Sequence, residues 1–174
     1  MPTISRRNFA LLLPAVLAAC GASENRGPVF KSYGGPPVTQ VVVQKSNRRM
    51  YLLSGRSVLK SYDFGLGTQP IGHKQFEGDG KTPEGLYFID RFNPRSRYHL
   101  SAGISYPNVY DRAFAAQHGL SAGGDIMFHG RGPEGRQLVK QRKDWTAGCI
   151  TVTDDEIEDI YAMLSLGLPV MIHA

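Results

Sequence analysis

The sequence predicts a mainly β domain with one or two helices, and three observations predict it. Gly (20) and Pro (11) are frequent for 174 residues, the composition of a turn-rich chain rather than a helix bundle. Three short apolar runs follow one another between Val38 and Gly65, separated by tight turns. The clearest helix comes late, where a helix-start signature precedes apolar residues at helical spacing. The length is that of one domain with a genuine core. Hydrophobic residues at 41%, aromatics at 10% and charges at 20% exclude a disordered chain, a coiled coil and a collagen-like repeat. Two cysteines exclude a disulfide-stapled mini-protein.

In chain order, Val38–Lys45 is rich in β-branched residues, Asn47-Arg48-Arg49 turns, and Met50–Ser54 resumes as a strand. Gly55-Arg56 turns again into Ser57–Gly65, which completes a β-meander. Gly85–Phe92, Tyr98–Ser105, Asp125–His129 and Cys149–Thr153 also read as strands, and Asp111–Gly119 as a weaker helix. Thr153-Asp154-Asp155-Glu156 fits a capping box, in which Thr153 caps and Glu156 reaches back. Ile157, Ile160, Tyr161 and Leu164 then recur at helical spacing until Gly167 and Pro169 end the helix. Pro169–Ala174 closes the chain as a strand.

Before Val38 the chain reads as an address. Arg6 and Arg7 precede an apolar run from Phe9 to Ala19 that is too short to span a bilayer and contains Pro14. Residues 1–19 therefore read as an export signal, and Ser5-Arg6-Arg7-Asn8-Phe9 resembles a twin-arginine signal. Leu17-Ala18-Ala19-Cys20 resembles a bacterial lipobox, which implies lipid on Cys20 and a membrane anchor through it. Gly21 is not the Asp that holds such lipoproteins at an inner membrane, so the expected place is the periplasmic side of the outer membrane. Residues 20–37, rich in Gly, Pro and Ser, read as the lipidated Cys and a flexible tether, and 38–174 as the domain. Loss of residues 1–19 removes two basic groups and no acidic ones, lowering the net charge from +5 to +3. That balance suits an anionic polymer, but the charges form no clustered nucleic-acid footprint. Once Cys20 is lipidated, Cys149 is the one thiol left in an oxidising compartment, and its presence there needs a reason.

Three segments stand out chemically. Gly78-Asp79-Gly80-Lys81-Thr82-Pro83-Glu84-Gly85 looks like a phosphate loop, but it lacks the required spacing and Pro83 removes an amide donor. A turn ahead of a strand is the simpler reading. The second segment, Gly124–Gly130, is an apolar strand ending in His129. The third is Trp145-Thr146-Ala147-Gly148-Cys149-Ile150-Thr151-Val152. Alone, a strand-end His is usually structural and a buried Cys usually a small apolar side chain. Together they are a nucleophile and the group that takes its proton. The small residues before Cys149 leave amides free for the oxygen of a tetrahedral intermediate.

His129, sixteen residues, and then Thr146-Ala147-Gly148-Cys149 resembles the signature of the YkuD-type L,D-transpeptidases, a His followed by Ser/Thr-His-Gly-Cys. Thr82-Pro83-Glu84-Gly85 resembles the Thr-Pro-x-Gly ahead of a family strand, and the likeness runs from Val38 to Ala174. The resemblance implies a β-sandwich-like fold and a cell-wall enzyme that attacks the third residue of a peptidoglycan stem peptide, releases D-alanine, and passes the acyl group from Cys to an amine or to water. It implies Cys149 as nucleophile, His129 as base and then acid, the Gly130 carbonyl as orienter of the ring, and the Gly148 and Cys149 amides as oxyanion hole. It calls for no cofactor and no metal. Arg131, Trp145, Thr146 and Tyr106 are candidates for substrate contact, although Trp145 reads more simply as packing. Arg131, Arg136, Lys140, Arg142 and Lys143 form a basic loop that either holds substrate carboxylates or is simply solvated.

Two positions depart from the family pattern. Ala147 stands where His is common, and Thr151 where many members have Arg or Asn. The Trp-Thr-Ala-Gly-Cys variant resembles the YafK-like branch, which includes an amidase-type member that frees a wall-attached lipoprotein. Transpeptidation, hydrolysis by the same site, and a non-catalytic wall-binding module are thus the competing expectations. The intact His129 and Cys149 argue against the last.

Overall fold

The computed structural model describes residues 26–174. The expected export signal (1–19) and the lipobox Cys20 lie outside the described residues. Eight strands and three helices follow in chain order: β1 Gln40–Gln44, β2 Arg49–Ser54, β3 Ser57–Asp63, β4 Gly85–Ser96, β5 His99–Ile104, α1 Val109–Gln117, β6 Met127–His129, α2 Gly132–Gln141, β7 Ile150–Thr151, α3 Asp154–Met163 and β8 Pro169–His173. The mainly β class is as expected, with one helix more than the sequence predicts.

Strand order is β3-β2-β1-β8-β4-β5-β6-β7. The expected meander forms β1–β3, and alternate residues of β1 and β2 bury Val41, Val43, Met50 and Leu52. The C-terminal β8 then pairs parallel to β1, Val41 opposite Val170, and antiparallel to the start of β4. β4, twelve residues long, joins two halves: Gly85–Phe88 pair with β8, and Ile89–Ser96 pair with β5. Every residue of β5 is buried, as expected of a strand covered on both faces. Beyond it come the short β6, antiparallel, and β7, parallel to β6.

α3 covers this second half with Ile157, Ile160 and Met163. It starts as the sequence predicts: Glu156 N–H donates to Thr153 Oγ1 at 3.2 Å, and Thr153 N–H donates to Glu156 Oε2 at 2.8 Å. α1 begins two residues before its expected start. Asn108 Oδ1 accepts from the Tyr110 and Asp111 amides, and Asp111 reaches back to the Asn108 amide, a second capping box.

Two expectations are corrected. Gly132–Gln141, read as a basic loop, is a helix. Gly132, Pro133 and Gly135 lower its intrinsic propensity. Its start is held from elsewhere in the chain, because Asp154 accepts from the Arg131 and Gly132 amides at 2.7 and 2.8 Å. The second correction concerns the tether. From Arg26 onward it is docked on α3: Val29 N–H donates to Glu158 Oε1 at 2.9 Å, Lys31 Nζ to Asp159 at 2.7 Å, and Phe30 meets Tyr161 edge-on.

Candidate active site

β6 ends at His129, and β7 begins one residue after Cys149. Phe128 pairs with Ile150, and His129 with Thr151. Phe128 and Ile150 both point into the core. His129 and Thr151 therefore leave from the opposite face of the sheet, and Cys149, two residues before Thr151, leaves from that same face. The register of two adjacent parallel strands thus sets Cys149 and His129 at diagonal positions on one face. Ser101 on β5 stands opposite His129 on the other side, and its hydroxyl is buried without a hydrogen-bond partner.

His129 is buried, and its Nδ1 lies 2.5 Å from the Gly130 carbonyl oxygen. A carbonyl only accepts, so Nδ1 carries the proton and Nε2 is the free base. Gly130 itself is required. A Cβ there would lie 2.6 Å from Asp154 Oδ1 and 2.9 Å from the Tyr98 carbonyl oxygen. Thr151 Oγ1 donates to the same Gly130 oxygen at 3.3 Å, so the Thr that departs from the family pattern fixes this carbonyl. Burial pushes the His129 pKa down to about 4, against the Gly130 hydrogen bond and the Asp154 carboxylate, which raise it.

The Cys149 thiol donates to the Asp125 carbonyl at 3.3 Å. Asp125 adopts φ 55°, a left-handed conformation unusual outside Gly, so the backbone is bent where it meets the thiol. Burial pushes the thiol up to about 11, opposed by a backbone hydrogen bond from Met127. Burial thus favours the neutral form of each group at rest.

The turn carrying Cys149 is held on all sides. Thr146 Oγ1 donates to the Cys149 carbonyl at 2.7 Å and accepts from the Gly148 amide at 3.2 Å. The fully buried Thr82 donates to the Gly148 carbonyl at 2.7 Å, and Lys45 Nζ in turn donates to the Thr82 carbonyl at 3.0 Å. Residues Gly65–Thr68 run alongside, with Gly65 bridging Thr151 and Gly67 bridging Thr146. A Cβ on Gly67 would come within 2.9 Å of the Gly148 nitrogen. Asp144, just before Trp145, binds the Arg48 guanidinium through two bonds of 2.7 and 2.8 Å and accepts from the Leu66 amide at 2.9 Å.

The structure gives several candidate residues other work. Tyr106 is buried: its hydroxyl donates to the Ala122 carbonyl at 2.9 Å and its ring meets Tyr87, so it packs in the core rather than facing substrate. Thr146 is likewise buried, and its hydroxyl is spent inside the turn. The Gly148 amide, expected in an oxyanion hole, is already bonded to Thr146. Arg131 lines a small cavity with Phe64, Gly65 and Thr151. Trp145 packs its indole edge against Gly135, where a Cβ would lie 2.7 Å from the ring, and against His129. The 78–85 loop is a turn that binds its own anion: Asp79 accepts from the Gln75, Phe76 and Lys81 amides and from Lys74 Nζ. In the sequence Asp154 stands out only as part of a capping box, and Asp125 and Tyr98 only as the first residues of strands. Only for Thr82, within the Thr-Pro-x-Gly motif, was there a local signal. Among the described residues, no three His, Cys, Asp or Glu side chains converge as metal ligands do.

The fold is an eight-stranded sheet with a His ending β6 and a Cys one residue before the neighbouring parallel β7. Residues 39–172 match the L,D-transpeptidase catalytic domain (YkuD), and the chain belongs to that family. It is 30% identical over 178 aligned positions, 93% of its length, to the Escherichia coli (strain K12) protein described as "Putative L,D-transpeptidase YafK". The chain spans 65% of the length of that relative. Among solved structures it is similar to the helical cell shape determining protein Pgp2 from Campylobacter jejuni, with TM-score 0.58 and 26% identity, covering 86% of this chain and 52% of that one. The L,D-transpeptidase from Mycobacterium smegmatis shares the fold at TM-score 0.51 and 14% identity, over 78% of this chain and 58% of that one.

Proposed function

We propose that the domain is a cysteine acyltransferase acting on peptidoglycan stem peptides through a Cys149 thioester. The observation that supports this reading is the register of β6 and β7, in which Cys149 and His129 take diagonal positions on one face, together with the Gly130 carbonyl that holds the Nδ1 proton and leaves Nε2 free. In the first half-reaction the thiol proton passes to Nε2 as Sγ bonds to the substrate carbonyl carbon. The oxyanion is met by the Cys149 amide, since the Gly148 amide is committed to Thr146. The imidazolium then protonates the departing amine of D-alanine, and the C–N bond breaks to leave the thioester. In the second half-reaction an acceptor amine attacks the thioester, its proton returns through His129, and the thiol is restored. Burial disfavours charge on the thiol and on the imidazole alike. Proton transfer therefore accompanies attack on the substrate.

Water in place of the amine gives the hydrolytic reading, stem trimming or release of a wall-attached lipoprotein. Ala147 favours it, because this exposed position has no side chain large enough to cover the thioester. Export and lipid on Cys20 complete the proposal: the lipobox supports a periplasmic domain anchored at a membrane, and the six residue steps from Cys20 to Arg26 reach at most about 21 Å.

The test is incubation of the protein with tetrapeptide muropeptides and intact sacculi, beside Cys149→Ala, with products identified by mass spectrometry. Cross-linked or D-amino-acid-exchanged stems establish transfer. Shortened stems or freed protein-linked peptides establish hydrolysis. The Cys149→Ala protein is expected to fold normally and turn over nothing, and turnover by it would remove Cys149 as nucleophile.

A further inference from the structure

His129 sits between two aromatic rings. Tyr98 stacks on it at 4.7 Å between centroids with 27° between planes, and Trp145 meets it edge-on at 5.6 Å and 69°. The two aromatics also touch one another at 5.3 Å. Each is held by α2. Glu134 pairs with Arg97, whose guanidinium lies 5.1 Å from the Tyr98 ring centre, and Gly135 leaves the space that the Trp145 indole fills. The Trp145 Nε1 is buried with no hydrogen-bond partner, so this indole makes its contacts through its ring and not through its donor. No polar contact joins Tyr98 to His129, and the stacking itself is what connects them.

Resting on the acyl-transfer reading, we infer that Tyr98 is a positioning residue, and that its π face stabilises the His129 imidazolium formed when the thiol is deprotonated. The imidazolium has few other partners. It is buried, its Nδ1 proton is shared with one carbonyl, and the nearby Asp154 carboxylate is already spent on the Arg131 and Gly132 amides and on Arg136. A cation against an aromatic face gains most where water is excluded. The neutral imidazole gains far less from the same ring, so the contact acts on the charged state and lowers the barrier rather than tightening substrate binding. Burial raises the Tyr98 pKa, and Cys149 lies near enough that a thiolate there raises it further, so the ring stays a neutral phenol close to both partners of the proton transfer.

The test replaces Tyr98 in the full-length chain by Phe and then by Phe carrying one, two and three ring fluorines, which keep the shape and progressively remove the negative face. Two rates are read: turnover of tetrapeptide stems, and alkylation of Cys149 by iodoacetamide, which needs the Cys–His proton transfer but no peptidoglycan. Tyr98→Phe is expected to stay within two-fold of the parent in both. The fluorinated series is expected to lose kcat stepwise to about ten-fold at unchanged KM, with alkylation falling in parallel; ten-fold corresponds to about 1.4 kcal/mol. A flat series in both rates overturns the inference, as does a loss confined to KM. If the parent turns over no stem peptide, the acyl-transfer reading fails, and the alkylation series still decides the role of Tyr98. Tyr98→Leu adds a check on shape, with its fold followed by circular dichroism.

Discussion

At the scale of single residues, Gly130 shows how a backbone atom becomes part of a site. Its carbonyl fixes the His129 tautomer and its missing Cβ lets Asp154 and the Tyr98 carbonyl approach. Gly130→Ala is expected to cost about 3 kcal/mol through overpacking and to lower kcat, read by urea unfolding and by turnover. The sequence points to Gly130 only for its carbonyl, because one chain cannot show what will lie against its Cα. His129 makes a second prediction. Its folded pKa, about 4, lies below the ordinary 6.5. Between those values the unfolded chain binds the proton and the folded one does not, so stability is full above pH 6.5 and is lost as pH falls toward 4. The contribution is about 3 kcal/mol. Urea midpoints from pH 7.5 to 4.5 should fall in the parent and fall less in His129→Gln.

At the scale of elements, the helices divide by where their signals lie. α3 and its capping box were legible, because cap, spacing and stop are all local. α2 was not, because its first turn depends on a carboxylate twenty-two residues away from Gly132. Asp154→Ala is therefore expected to destabilise the protein by about 3 kcal/mol, the scale of losing charge-assisted bonds to two amides and a guanidinium. Hydrogen exchange should show the loss concentrated in 132–141. An effect spread evenly over β1–β3 would count against that account. The strands show the same division. The β1–β3 meander was readable from its alternation and turns. The parallel pairing of β8 with β1, and of β7 with β6, has no local signature, since it joins segments distant in the chain.

At the scale of the whole molecule, the segment before the domain is part of its fold. Glu158 is buried and meets His99 Nε2 at 2.8 Å, the Val29 amide at 2.9 Å and Arg26 at 3.1 Å. Burial pushes its pKa up, but the Val29 amide, His99 and Arg26 outweigh that and hold it below the usual carboxylate range. A chain beginning at Val38 loses two of these three partners while the carboxylate stays buried. It is expected to be about 2 kcal/mol less stable than one beginning at Arg26, a fall of about 6 °C in Tm, and Glu158→Gln should recover part of it. Equal melting temperatures would show that residues 26–37 add nothing to the fold.

By itself the sequence determined the mainly β class, the meander, the late helix, and the pair of residues on which the proposed chemistry rests. Each of these is written in local composition or in a spaced motif. Only the tertiary structure decided that Thr146 and Tyr106 are spent inside the protein, that the basic segment is a helix, and that Tyr98, Asp154 and Asp125 surround His129 and Cys149. Those facts depend on strand register and on contacts between residues far apart in the chain. A motif states which groups are present, but burial and the neighbours brought by the fold decide their charge, their orientation and what they can reach.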